Sequence, residues 1–260
     1  MPLDAITLGQ GFLSEFMGTA MLILLGAGVC ANLNLNKSKA HGAGWLTVNF
    51  GWGLAVFSGV LVAFKSGGHL NPAVTLGMIA SKSSIGGIDF GDANYIGMAC
   101  IFILAQFVGA FVGAWLAYLV FFKQFNSEAG AGSKLGSFAT GPEVKSYGWN
   151  LVTEGIATFV LVFVVLIAGF GQGTGVVNMG WLNAFGVALL IVSIGASLGG
   201  PTGYAINPAR DLGPRLAYAT MPMKNGKDDA NWSYAWVPVV GPIIGGVVAG
   251  LIFQAVHAAF

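Results

Sequence analysis

Charge is what this chain lacks most: Asp, Glu, Lys and Arg make up 8% of its 260 residues, against about 25% in an ordinary soluble domain. The few basic residues cluster nowhere and leave a formal net charge of +1, which excludes a nucleic-acid surface or a basic arm reaching acidic partners. Cys30 and Cys100 are the only cysteines. Both lie in apolar stretches with no His, Asp or Cys at ligand spacing, so they read as packing residues, with no metal site. His41, His69 and His257 are scattered, and no nucleophile has a neighbouring base, so the pattern points away from an enzyme and calls for no cofactor. Residues 1–10 carry Asp4 and no Lys or Arg, unlike a cleavable leader, and the first apolar run reads as a retained span.

What is there instead is apolar length. With 55% hydrophobic residues and a mean hydropathy of +0.77, the chain belongs in a lipid bilayer. A helix needs roughly 20 residues to cross the hydrocarbon layer, and six runs suffice: 13–31, 45–64, 95–122, 151–170, 181–198 and 233–253. Two shorter runs, 73–80 and 209–219, cannot span and suit re-entrant half-helices. The polar interval 123–149 reads as a connector between a first repeat, 8–122, and a second, 150–260, within one channel domain. The repeat shows in the residues themselves. Glu15 and Thr19 sit four apart in the first span, Glu154 and Thr158 four apart in the fourth, and an Asn-Pro-Ala tripeptide follows each at a similar distance. Three crossings per half is an odd number, so the halves lie inverted in the membrane and the half-helices enter from opposite faces. Lys37 and Lys39 fall opposite Lys65 and Lys82, so charge leaves the orientation open.

Asn71-Pro72-Ala73 and Asn207-Pro208-Ala209 have a mechanical reason to begin helices. Asn is a strong N-cap, and Pro fits the first helical position, where no amide donor is required. Two such ends meeting near the midplane place about half a positive charge each, repelling cations and orienting hydrogen-bond acceptors. Backbone that leaves helical form at membrane depth must be buried in protein or line a wet cavity. The extended residues Gly67, Gly68 and His69, with Gly203 and Ala205, are therefore expected to turn carbonyls to a pore. Arg210 follows the second motif where the first has Val74; its planar fork of donors suits a solute hydroxyl and its charge rejects cations. Glu15 and Glu154 are the only carboxylates deep in the spans. Their symmetry points to structural support for the re-entrant loops rather than to a proton relay.

The stretches Ser66-Gly67-Gly68-His69-Leu70-Asn71-Pro72-Ala73-Val74-Thr75 and Gly203-Tyr204-Ala205-Ile206-Asn207-Pro208-Ala209-Arg210-Asp211-Leu212-Gly213-Pro214-Arg215 resemble the signatures of the major intrinsic protein family, the aquaporins and glycerol facilitators. That resemblance implies an all-α membrane protein: six tilted helices and two half-helices in an inverted repeat. It also implies a pore in each subunit of a homotetramer, and cytoplasmic termini. Asp211, Arg215 and the Pro238-Val239 pair are similar to the glycerol-conducting branch. By position Tyr204, Gly195 and Arg210 take three of the four filter sites; for the fourth, an ungapped count back from Asn71 lands on Gly51, beside Trp52. Either Trp52 fills that wall or Gly51 leaves the filter wide, and the Tyr204 hydroxyl would make it more polar. The expected function is passive conduction of glycerol and similar small uncharged solutes, with some water, across a plasma membrane of bacterial type. A widened channel for neutral lactic acid or dihydroxyacetone, a mainly water-selective pore and a coupled transporter are the alternatives.

Overall fold

The computed structural model describes residues 5–127, 132–173, 181–227 and 229–259, and among them the regular structure is helical. The elements are α1 (Leu8–Asn34), α2 (Trp45–Val62), α3 (Pro72–Ala80), α4 (Tyr95–Val120), α5 (Phe122–Ser127), α6 (Gly132–Leu135), α7 (Tyr147–Gly173), α8 (Trp181–Leu198), α9 (Pro208–Thr220) and α10 (Val237–Ala259). Six of these, α1, α2, α4, α7, α8 and α10, are long and apolar enough to cross a membrane. They match the six expected runs, with shifts at the ends that have local causes. α1 starts earlier than the apolar run because Thr7 and Gln10 form a reciprocal capping box. α10 starts later because 232–236 form tight turns ahead of Pro238, which sits at the second helical position where its missing N–H costs nothing. Residues 128–131 of the expected connector lie outside the described residues.

The packing has an internal two-fold pattern. α1 lies against α4 and α2 as α7 lies against α10 and α8, and α2 meets α8 at the centre. Each half-helix leans on the last span of the other half, α3 on α10 and α9 on α4. At 9 residues, α3 is about 14 Å long, less than half the roughly 30 Å hydrocarbon thickness. It enters the membrane without crossing it.

Within a bilayer, helix association depends on close backbone approach, since lipid is as apolar as leucine. Gly109 and Gly113 of α4 press directly on the backbone at Phe16 and Ala20 of α1, and Gly246 and Gly250 of α10 do the same to Ala73 and Gly77 of α3. The first pair clamps two spans. The second brings a span against the base of a half-helix. We predict that Gly113→Val, which sets a branched side chain into the Ala20 carbonyl, prevents α1 and α4 from docking; size-exclusion chromatography in detergent would show loss of the monodisperse peak, and an unaltered profile would contradict the packing.

Candidate functional site

The two half-helices meet at their N-termini, and the asparagines that cap them tie one loop to the other. Asn71 Oδ1 accepts from Ala73 N at 2.9 Å, and Asn207 Oδ1 accepts from Ala209 N at 3.0 Å and Arg210 N at 3.1 Å. Each amide also reaches across: Asn71 Nδ2 donates to Ile206 O at 2.8 Å and Asn207 Nδ2 to Leu70 O at 2.8 Å. A carboxamide has two N–H groups and one oxygen. The oxygen caps the residue's own helix and one N–H holds the opposite loop, leaving one N–H on each asparagine for whatever occupies the lumen.

Behind each loop lies a fully buried carboxylate. Glu15 accepts from Ser66 Oγ at 2.6 Å, His69 N at 2.9 Å, Leu70 N at 2.7 Å and Gln106 Nε2 at 2.8 Å. Glu154 accepts from Thr202 Oγ1 at 2.7 Å, Ala205 N at 3.0 Å and Ile206 N at 2.8 Å. Drawing these amides outward turns the carbonyls of the same residues the other way. The loops accept an awkward backbone to do this: φ is +53° at Leu70, +37° at Tyr204 and +47° at Ile206. Such conformations cost of order 1–3 kcal/mol each and persist where surrounding bonds over-determine them. Gly67, Gly68, His69 and Ala205 line the lumen, while Gly203 lines the vestibule beyond Arg210. His69 is held by Thr75, its Nδ1 3.0 Å from Oγ1, and by the edge of Phe102.

The lumen is two-sided. Val56 and Val60 of α2, Leu161 of α7 and Ile191 of α8 give it an apolar wall, and the loop backbone with Asn71, Asn207 and Arg210 gives it a polar one. It ends where Trp52, Tyr204 and Arg210 come together, since these three border both the lumen and the vestibule. There Arg210 Cζ lies 4.0 Å from the centre of the Trp52 ring, and Nη1 donates to Phe138 O at 3.4 Å.

A family model for the major intrinsic protein matches residues 3–253, and a protein of Thermotoga maritima named a probable glycerol uptake facilitator is 49% identical over 244 residues, covering 94% of this chain and 97% of that one. The chain belongs to the major intrinsic protein family. The glycerol uptake facilitator of Bacillus subtilis is 45% identical over 245 residues, with 94% of this chain and 84% of that protein covered. The X-ray structure of the aquaglyceroporin from Plasmodium falciparum superposes with a TM-score of 0.79 at 31% identity, covering 97% of this chain and 98% of that chain.

Placed in this major intrinsic protein, two filter expectations change. Gly51 does not face the pore: a Cβ there would lie 2.7 Å from the Val29 Cβ, so this side of α2 is pressed on α1. Successive helical residues point about 100° apart, and the residue turned toward Arg210 is Trp52. Of the two alternatives at this position, Trp52 is the residue beside Arg210. Gly195 packs against the tyrosine. A side chain there would meet the Tyr204 ring, 2.6 Å from Cζ and 2.8 Å from Oη, so Gly195 makes room for the tyrosine. The Tyr204 hydroxyl is accordingly buried rather than presented to the lumen, and does not make the filter more polar.

Other contributors were not singled out from sequence. Phe138 and Thr140 come from the expected connector. Thr140 donates to Asp211 Oδ2 through N at 2.7 Å and Oγ1 at 2.6 Å. Asp211 pairs with Arg215 at 2.7 Å, both fully buried, and Arg215 Nη2 donates to Thr140 O at 2.8 Å. This exchange pins the strip whose Phe138 carbonyl holds Arg210. Cys30, read as packing, accepts from Trp52 Nε1 at 3.3 Å and so orients the indole; Cys100 is exposed on α4, not packed. No spacing rule connects Cys30 or Phe138 to the filter, because the contacts are set by tertiary packing.

Glu154→Gln substitutes an N–H pair for an oxygen facing three donors, orphaning at least one buried group at about 1–3 kcal/mol. The expected result is a clear fall in melting temperature in detergent, read by tryptophan fluorescence; a variant melting like the parent would show that the loop is not held by Glu154.

Proposed function

We propose that the protein is a passive channel conducting glycerol and similar small uncharged solutes, with some water, while excluding ions and protons. The observation that carries this reading is the two-sided lumen. Glycerol has a carbon-bound face and a hydroxyl face, and a pore with one apolar wall and one row of donors and acceptors can hold both at once. As hydration is stripped, each lost hydrogen bond is replaced by Asn71, Asn207, a loop carbonyl or Arg210, so the barrier stays low. The carbon-bound hydrogens slide on Trp52 and Tyr204. The relatives named as glycerol uptake facilitators support the same solute.

The filter makes its own demand. Arg210 rests on the face of Trp52, a contact worth about 0.5–2 kcal/mol, and a solute must part the two groups to pass. A hydroxylated molecule compensates by bonding the guanidinium while its carbon face takes the indole. A bare cation has no acceptor to offer the guanidinium and is repelled by Arg210 and two positive helix ends. Water bound at the midplane turns its oxygen to both asparagines, which interrupts a continuous proton wire.

With six apolar spans and its bacterial relatives, this is a multi-pass protein of a bacterial plasma membrane. The homotetramer expected of the family is part of the proposal, as is a filter shaped by Tyr204 and Trp52 rather than widened at Gly51. That filter favours glycerol over the wider-bore reading for lactic acid.

Vesicles reconstituted with the protein are expected to swell in an inward glycerol gradient far faster than empty vesicles, followed by stopped-flow light scattering; equal rates would overturn the proposal. Gly195→Leu drives Tyr204 toward the lumen, and overpacking on the scale of 1–3 kcal/mol should lower glycerol permeability about tenfold or more, with water reduced less. Equal loss of both fluxes in a correctly folded variant would remove the size-filter account.

A further inference from the structure

Each wall of the filter is held from behind, and one holding partner is still to be assigned. Trp52 is held by Cys30, and Arg210 by the Phe138 carbonyl. Tyr204 has its ring along α8, with Cδ1 over Gly199 and the hydroxyl over Gly195. That hydroxyl is buried without a hydrogen-bond partner among the described residues. So are both polar atoms of Asn49, a fully buried residue of α2 one helical turn before Trp52. The two side chains converge: the position a Cβ would take on Gly195 is 2.8 Å from Tyr204 Oη, and Asn49 Oδ1 is nearer still.

Three unpaired polar atoms in one buried place are costly, and native proteins satisfy such groups with each other or with an enclosed water. The chemistry here is complementary, since a phenol donates and a carboxamide oxygen accepts. We infer that Asn49 is a specificity-determining positioning residue: the Tyr204 hydroxyl donates to Asn49 Oδ1 through one enclosed water, and this bridge holds the ring back against α8. The bond lets a tyrosine present only its apolar face to the solute. Without Asn49, the hydroxyl finds its partner in the wet lumen, and the ring swings inward to reach it. The bore then narrows, and longer polyols suffer before shorter ones. This inference rests on the solute-channel reading for its consequence, though the bond itself does not.

The test compares Asn49→Val with Asn49→Thr, two side chains of nearly one shape that differ in a hydroxyl. In reconstituted vesicles, Asn49→Val should raise the ratio of glycerol to erythritol permeability about fivefold, the scale of one hydrogen bond, and Asn49→Thr should keep it near that of the parent. Whatever ratio the Tyr204→Phe channel shows, adding Asn49→Val should not change it further, because no hydroxyl remains to be held. A ratio unmoved by Asn49→Val, or moved equally in the Tyr204→Phe background, overturns the inference. A second measurement needs no change at Asn49: the ultraviolet Raman difference between the parent and Tyr204→Phe should report a hydrogen-bonded hydroxyl for the tyrosine removed, and an unbonded one overturns the inference even if the Asn49 variants fail to assemble. A parent channel that passes no glycerol would refute the channel reading instead, and the Raman result would still decide the bond.

Discussion

Broken helix inside a membrane leaves backbone groups that lipid cannot satisfy, and the arrangement of this protein follows from how that debt of hydrogen bonds is met. Two carboxylates and two carboxamides meet most of it. Glu15 and Glu154 take the outward N–H groups of the re-entrant loops, and Asn71 and Asn207 cap the half-helices while holding the opposite loop. Once the N–H groups point outward, the carbonyls turn inward, those of Leu70 and Ile206 to the opposite asparagine and the others toward the lumen. The polar wall of the pore is thus a by-product of anchoring the loops, and the spans supply the apolar wall. Amphipathicity along one narrow path comes from these two sources of atoms rather than from any single residue.

The same reasoning explains why the proposed filter draws on so many parts of the chain. Its three walls come from α2, the second loop and the start of α9, and each is fixed by something remote: α1 through Cys30, the segment before α7 through Phe138, and α8 through its glycine face. The buried Asp211–Arg215 pair holds the Phe138 segment by way of Thr140. Buried ion pairs contribute little net stability, because desolvation offsets attraction; here the pair's consequence is geometric, since it sets where the Arg210 carbonyl partner lies.

Much of this was legible in the sequence, for physical reasons. Spans announce themselves by length and hydropathy, half-helices by Asn-Pro at a cap, and inversion by an odd number of crossings per repeat. The paired Glu15 and Glu154 stood out because a carboxylate is rare at that depth. The choice between Gly51 and Trp52 stayed open in the sequence because a helix turns about 100° per residue, so a shift of one position exchanges a pore-facing side for one pressed on α1. At Gly195 the missing side chain makes room for the Tyr204 ring, a contact that sequence spacing does not disclose. Phe138 acts through a backbone carbonyl, which every residue has, and nothing in its side chain could have marked it. Cys30 and Asn49 look like ordinary residues of apolar helices until the fold brings them behind the filter.

Solute crosses by diffusion through a lumen that replaces its hydration step by step. The most direct measurement is the temperature dependence of glycerol permeability in reconstituted vesicles. A pore of this kind predicts a shallow dependence, close to that of diffusion in water and well below that of empty vesicles. A steep dependence matching the bare bilayer, or glycerol accumulating above its external concentration, would contradict the account.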